Sequence, residues 1–133
     1  MTNYIELYKL AEAARASSYS PYSKISVGAA LLCKSGKIYT GSNIENSAYS
    51  PSVCAERVAF FRAIHRGERE FVAIAIAGGE AGGEAKDVFS PCGVCRQVMA
   101  EFCDKDLKII FGSDKEVAFS QLLPYAFNGD FLK

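Results

Sequence analysis

Apolar and polar positions follow helical spacing in some stretches of the chain and form short apolar runs in others. Tyr4 to Ser17 carries apolar residues at helical spacing, which predicts a first helix. Ile25 to Cys33 is an apolar run that predicts a buried strand. After a turn at Lys34 to Lys37, a second strand is predicted at Ile38 to Thr40. The two strands are therefore expected to form an antiparallel hairpin.

Helices and strands continue to alternate after the hairpin. A second helix is predicted from near Cys54 to about His65, with Val58, Phe61 and Ile64 on its inner face. The later predicted elements are a strand at Phe71–Ala77, a helix from Cys92 to about Phe102, and strands at Leu107–Phe111 and Glu116–Phe119. Loops are expected at Gly41–Ser52 and Gly78–Lys86, and Ser120 is expected to cap a last helical turn ending at Pro124.

This order of elements predicts an α/β fold. Helices that alternate with apolar strands indicate a three-layer α/β/α sandwich, and the initial hairpin makes its five-stranded sheet mixed rather than fully parallel. The 133 residues fit one domain, so residues 1–133 are expected to form a single catalytic domain.

Composition narrows the partners and the compartment. The 15 basic and 15 acidic residues give zero formal net charge, whereas binding to a phosphate backbone favours a basic surplus, so no nucleic-acid partner is expected. The sequence has no apolar run of membrane-spanning length, and its first six residues do not resemble a signal peptide. A cytoplasmic protein without a membrane partner is expected. In a reducing compartment, the five cysteines favour metal or catalytic roles over disulfides.

Three cysteines and one glutamate carry the strongest chemical signal. Cys92 and Cys95 are three residues apart at the start of a predicted helix, so their side chains point the same way and can hold one metal ion. Cys54 adds a third sulfur, and three protein ligands leave a position for water, as in catalytic zinc sites. Glu56 follows Cys54 by two residues and can lie beside the metal as a proton carrier without binding it.

Segments 54–57 and 90–97 resemble the paired signature of the small homotetrameric cytidine deaminases, in which Cys-x-Glu precedes Pro-Cys-x-x-Cys. The likeness continues in order and spacing through segments 22–24, 27–31, 43–46 and 122–127 and covers nearly the whole chain. The Asn-Ile-Glu-Asn of segment 43–46 is the most discriminating part, because it separates nucleoside deaminases from other zinc deaminases.

The resemblance implies hydrolytic deamination of free cytidine or deoxycytidine in pyrimidine salvage, with one zinc ion per chain. It makes Cys54, Cys92 and Cys95 the zinc ligands, while Glu56 moves protons between an activated water, the pyrimidine and the departing amine. It also implies a homotetramer with sites shared between subunits. The remaining implied roles are Asn43 and Glu45 on the ribose hydroxyls, backbone groups of Ala55 and Ser90 on the base and amine, Ile25 at the base, Arg57 on the ligand sulfurs, and Phe127 in a neighbouring subunit's pocket.

Ile25 departs from the family pattern. The family usually carries Phe there, and its ring packs against the pyrimidine, whereas an aliphatic side chain provides an apolar wall without stacking. A modified cytidine or a blasticidin-type aminonucleoside antibiotic therefore stays open as the substrate. A zinc-stabilised binding module without catalysis is the alternative outside enzymes, and a structural zinc knuckle or a redox pair is the simpler interpretation of the cysteines.

Several other residues have a plain structural interpretation. Asn43 and Glu45 are also consistent with polar loop positions, and Phe127 and Tyr49 with core or interface packing. His65 is expected on the surface, and the glycines at 78–83 lack the Gly-Lys-Ser/Thr ending of a phosphate loop. Cys33 and Cys103 are expected to be small buried apolar residues.

Overall fold

The computed structural model describes residues 4–133. In that range the elements are α1 (Ile5–Ala14), β1 (Ile25–Cys33), β2 (Ile38–Ser42), α2 (Ala55–His65), β3 (Phe71–Glu80), α3 (Gly93–Phe102), β4 (Lys108–Ile110), β5 (Glu116–Ala118) and α4 (Phe119–Leu122). Short 3-10 turns lie at Arg15–Ser17 and Gly129–Leu132. The predicted order of helices and strands is confirmed, and β1 has the predicted bounds.

The five strands form one mixed sheet in the order β2-β1-β3-β4-β5. β1 pairs antiparallel with both β2 and β3, and β4 pairs antiparallel with β5. β3 and β4 are parallel, because α3 carries the chain back between them. The predicted mixed sheet with an antiparallel hairpin at its start is therefore confirmed.

β3 separates two cores because successive strand residues point to opposite faces of the sheet. Its alanines, Ala73 and Ala75 among them, pack with the buried side chains of α1. Ile74 and Ile76 lie in the other core with buried residues of α2 and α3. Helices thus cover both faces of the sheet, and the predicted three-layer sandwich is confirmed.

Two glycines let helices approach the sheet backbone. A Cβ on Gly28 would lie 2.0 Å from the carbonyl oxygen of Ala11 in α1. A Cβ on Gly41 would lie 2.4 Å from the carbonyl oxygen of Ala55 and 2.6 Å from the amide nitrogen of Ala59, both in α2. β2 therefore fixes the first turn of α2, the turn that carries Glu56.

The predicted inner face of α2 is wrong at Val58 and Phe61, whereas Ile64 packs against the core as predicted. Phe61 is 48% exposed, and Val58 and Ile64 are only half-buried. The face that packs on the sheet instead consists of Ala55, Glu56, Ala59, Phe60 and Ala63. Close approach at Gly41 favours small alanines beneath the helix, so the spacing of the largest apolar side chains did not identify its buried side.

Two smaller predictions also need correction. β3 continues to Glu80, so Gly78 and Gly79 pair with β1 and the predicted loop begins later. Ser120 lies inside α4 rather than capping it, and the amide of Ala118 at the start of this helix donates to Gln121 Oε1 at 3.0 Å. No helix within residues 4–133 is long and apolar enough to cross a membrane.

Candidate active site

Three cysteine sulfurs meet where two helices begin. Cys54 precedes α2 as its N-cap, Cys92 does the same for α3, and Cys95 lies in the first turn of α3. The Sγ of Cys92 lies 3.6 Å from that of Cys54 and 3.5 Å from that of Cys95. Within residues 4–133 this is the one group of three or more possible His, Cys, Asp or Glu ligands whose donor atoms all lie within 4.8 Å of one another.

Arg57 balances the charge of these sulfurs. Its Nη2 donates to Cys54 Sγ at 3.5 Å, while its buried Nε has no hydrogen-bond partner in the described part of the chain. The pKa of the Cys54 thiol is lowered, first by a hydrogen bond from Cys95 and then by Arg57, and the pKa of Cys95 is raised by the same shared hydrogen bond. A guanidinium and two helix N-termini stabilise sulfur anions. The donor set therefore fits a thiolate-bound zinc ion.

Glu56 lies beside the cysteines and is 3% exposed. Burial, and to a smaller extent the neighbouring Cys54, raises the pKa of its carboxyl group to about 7. A carboxyl group with a pKa near neutrality can both accept and release a proton at physiological pH. Glu56 therefore has the protonation chemistry that a proton carrier needs.

One cavity of about 430 Å³ joins the cysteines to the predicted substrate residues. Cys54, Cys92 and Glu56 line it together with Asn43 and Glu45. Its volume is within the range of about 300–1,000 Å³ that is typical of small-molecule sites. The structure therefore brings the metal-binding, proton-carrying and sugar-binding candidates to one place.

Asn43 is buried and tied to β1 on both sides of its amide group. Its Oδ1 accepts from Ser18 Oγ at 2.6 Å and from the Val27 amide at 2.9 Å. Its Nδ2 donates to the carbonyl oxygen of Ile25 at 2.8 Å. Because an amide nitrogen carries two hydrogens, one donor position of Asn43 is left for a ligand after these bonds.

Glu45 is held by the loop before β1. Its Oε1 accepts from the amides of Tyr22 at 3.0 Å and Ser23 at 3.1 Å, and its Oε2 accepts from Ser23 Oγ at 2.5 Å. The pKa of Glu45 is lowered, and the largest cause is the Ser23 hydroxyl. The carboxylate is thus kept charged at the cavity.

The base-facing residues differ in part from the sequence prediction. Ser90 lines the cavity, and its Oγ accepts from Arg96 Nη2 at 2.8 Å. Ala55 is fully buried in the first turn of α2. Ile25 packs against the core, and Val27, two residues further along the same face of β1, lines the cavity. Sequence reasoning missed Val27 and Phe89, which also lines the cavity, although Phe89 immediately precedes the Ser-Pro-Cys motif.

Phe127 does not line the cavity of its own chain. Its ring is 55% exposed and stacks on Phe131 with centroids 5.5 Å apart. The carbonyl oxygen of Phe127 accepts from Gln97 Nε2 at 2.9 Å, which ties this segment to α3. The ring is therefore held on the surface, where a second chain can contact it.

The remaining cysteines and the histidine lie away from the sulfur cluster. His65 is exposed and Cys33 is buried, as expected, whereas Cys103 is only partly buried. Burial raises the pKa of Cys33 to about 11 and that of Cys103 to about 12. Neither thiol supplies a fourth sulfur to the cluster.

Residues 1–112 match the family described as the cytidine and deoxycytidylate deaminase zinc-binding region, and the chain belongs to that family. It is accordingly a zinc-dependent enzyme, and the three-cysteine cluster is able to hold the metal ion.

Relatives and solved structures support this assignment. A cytidine deaminase of Sporosarcina psychrophila is 48% identical over 86% of this chain and 84% of its own length. One from Halalkalibacterium halodurans is 45% identical over 93% of both chains. The crystal structure of cytidine deaminase from Burkholderia pseudomallei superposes with a TM-score of 0.85 and 40% identity, covering 96% of this chain and all of that one. The similarity therefore extends over the whole fold.

Proposed function

We propose that this chain catalyses the hydrolysis of cytidine and deoxycytidine to uridine and deoxyuridine, with release of ammonia, as a step of pyrimidine salvage. The main observation that supports this proposal is the buried Glu56 beside three cysteine sulfurs, in one cavity with Asn43 and Glu45. The relatives named cytidine deaminase support cytidine over an antibiotic as the substrate. In this proposal residues 1–133 act as one catalytic domain in the cytoplasm.

Cys54, Cys92 and Cys95 are the proposed zinc ligands. When bound, zinc lowers the pKa of a water ligand towards neutrality. Three thiolates carry three negative charges against the two positive charges of the metal, which opposes that effect. The Arg57 guanidinium and the N-termini of α2 and α3 offset the excess negative charge.

Glu56 is the proposed proton carrier. It takes a proton from the attacking water and delivers it to N3 of the pyrimidine while the water oxygen adds to C4. It then carries the remaining proton of the attacking water to the exocyclic amine. The bond between C4 and the amine nitrogen breaks, and ammonia leaves. Backbone groups of Ala55 and Ser90 hold the base and amine during these transfers, and Val27 of strand β1 provides the apolar wall of the cavity.

The charges around the cavity favour a nucleoside over a nucleotide. Of the described residues that line it, Arg57 alone is cationic, and its guanidinium is engaged by Cys54. The Glu45 carboxylate lies in the same wall and repels a phosphate group. Asn43 and Glu45 instead offer a donor and an acceptor to the sugar hydroxyls.

A homotetramer with shared sites is part of the proposal. Tyr49 lines the cavity while remaining 80% exposed, and Phe127 and Phe131 form an exposed aromatic pair. Exposed apolar rings of this kind favour burial against another chain. Phe127 of one subunit would then close the cavity of its neighbour.

A substrate panel tests the proposed function. Purified protein is incubated with cytidine, deoxycytidine, deoxycytidylate and a blasticidin-type compound, and ammonia release is measured together with zinc content. We expect zinc in the active sample and turnover of both free nucleosides, with at least about 100-fold lower kcat/KM for the nucleotide, equal to about 2.7 kcal/mol. Activity without zinc, or a preference for deoxycytidylate, contradicts the proposal.

A further inference from the structure

The Glu45 carboxylate has one acceptor position left for a ligand. Each carboxylate oxygen accepts about two hydrogen bonds. Oε1 already accepts from the amides of Tyr22 and Ser23, whereas Oε2 accepts one bond, from Ser23 Oγ. The position left on Oε2 therefore depends on how Ser23 orients the carboxylate.

The Ser23 hydroxyl also connects Glu45 to the sheet. The amide of Ile25, the first residue of β1, donates to Ser23 Oγ at 3.0 Å, and Oγ donates onward to Glu45 Oε2. A hydroxyl that accepts one hydrogen bond is polarised and becomes a stronger donor in the next. The carboxylate is thus aligned to the strand on which Val27 lines the cavity.

The backbone after Ser23 is strongly constrained. Lys24 adopts a left-handed conformation with φ of 62°, which is unfavourable for a residue with a side chain. Its amide donates to the carbonyl oxygen of Ser20 at 3.1 Å, and its own carbonyl accepts from the Ala81 amide at 2.8 Å. The loop is therefore held firmly enough to serve as a fixed support for Glu45.

We propose that Ser23 is a positioning residue, whose hydroxyl aims the open acceptor position of Glu45 at a sugar hydroxyl of the nucleoside. This inference rests on the proposed function, in which Glu45 contacts the sugar. Without the hydroxyl, Oε2 is free to rotate about the anchored Oε1 and its vacant positions are taken by water. Binding weakens, while Glu56 and its proton transfers are unaffected.

The test compares Ser23→Ala and Ser23→Thr, each in the wild-type and Glu45→Ala backgrounds. Ser20→Ala is the matched control, because Ser20 lies in the same loop and its hydroxyl oxygen lies 3.2 Å from that of Ser18 and makes no hydrogen bond with Glu45. Steady-state kinetics with cytidine give KM and kcat, calorimetry with uridine gives the dissociation constant of the product, and thermal melting checks the fold.

We expect Ser23→Ala to raise KM and the uridine dissociation constant about tenfold, with kcat within about twofold of wild type. Ser23→Thr keeps the hydroxyl and restores most of the affinity, and Ser20→Ala behaves as wild type. In the Glu45→Ala background, Ser23→Ala produces no further change, because the group through which it acts is gone.

Two results would overturn the inference. One is an equal effect of Ser23→Ala with and without the Glu45 carboxylate, since the hydroxyl would then only support the loop. The other is a loss of kcat at unchanged KM. A wild-type protein that releases no ammonia from cytidine instead refutes the proposed function, so the two failures are distinguishable.

Discussion

Arg57 donates a hydrogen bond from Nη2 to the sulfur of Cys54 at 3.5 Å. The two residues lie three positions apart across the start of α2, so the helix itself brings the cation to the sulfur. In the proposed function the guanidinium offsets anionic charge at the cluster without being a metal ligand.

Replacing Arg57 by Ala is expected to reduce activity more than stability. Loss of the cation leaves the thiolate charge uncompensated, and groups that support metal ligands typically contribute about 10- to 100-fold to activity or metal affinity. kcat for cytidine and the thermal midpoint are measured side by side. Arg66→Ala, an exposed position just after the same helix, is the control, and equal losses of activity and stability in Arg57→Ala would count against its role.

Gly41→Ala is expected to disturb the site through the packing of α2. The added Cβ would lie 2.4 Å from the Ala55 carbonyl oxygen, so the first turn of the helix must move. Overpacking of this kind typically costs about 1–3 kcal/mol. The free energy of unfolding measured with urea and the zinc content should both fall in Gly41→Ala. Gly129→Ala is the control and should leave both unchanged, because a Cβ added there meets nothing within 4 Å. Unchanged zinc affinity in Gly41→Ala would show that this contact does not position the cluster.

Metal removal is expected to separate the five thiols by reactivity. Burial raises the pKa of Cys33 to about 11, so at pH 8 only about one in a thousand of its side chains is thiolate, the reactive form. After chelation, alkylation at pH 8 followed by mass spectrometry should label exposed Cys92 first and Cys33 and Cys103 last. Prior labelling of Cys33 would contradict its burial.

The raised pKa of Cys33 also affects the stability of the fold at high pH. Because the pKa of Cys33 is raised in the folded state, the protonated thiol contributes to the free energy of unfolding. This contribution is fully present below about pH 9 and is lost as pH rises towards 11. Cys33→Ala should therefore show a smaller loss of unfolding free energy between pH 9 and 11 than wild type. If wild type and Cys33→Ala lose the same unfolding free energy between pH 9 and 11, Cys33 is not the cause of that loss.

Shared sites predict complementation between two defective variants. Glu56→Gln lacks the proton carrier, and Phe127→Ala lacks the ring proposed to close a neighbour's cavity. Unfolded together and refolded as a mixture, they should regain activity, because some cavities receive Glu56 from one subunit and Phe127 from another. Activity no greater than the sum of the separately refolded variants would indicate that each chain works alone.

Long apolar runs and short motifs account for most of what the sequence predicted correctly. Ile25–Cys33 is almost continuously buried, so its composition alone marked both ends of the strand. The cysteines were predicted to lie where two helices begin, and they do. This was predictable because the residues next to each cysteine determine where its helix begins. The sulfurs of all three predicted metal-binding cysteines lie within 4.8 Å of one another in the structure.

Contacts between distant segments were not predictable from the same patterns. The buried side of α2 depends on its close approach to Gly41, which the helix sequence does not contain. Val27 lines the cavity, whereas Ile25 at the start of β1 packs against the core, and the sequence pattern of the strand does not distinguish these two positions on one face. The bonds from Ser18 to Asn43 and from Ser23 to Glu45 join residues more than 20 positions apart and require the folded loop.

Zinc content and cytidine turnover of Glu56→Gln, determined on one preparation beside wild type, test the central claim most directly. The amide has nearly the same shape as the carboxyl group but cannot accept and return a proton, so the variant should retain one zinc per chain while ammonia release falls by about 1,000-fold or more. Retained zinc with activity within about tenfold of wild type would contradict Glu56 as the proton carrier.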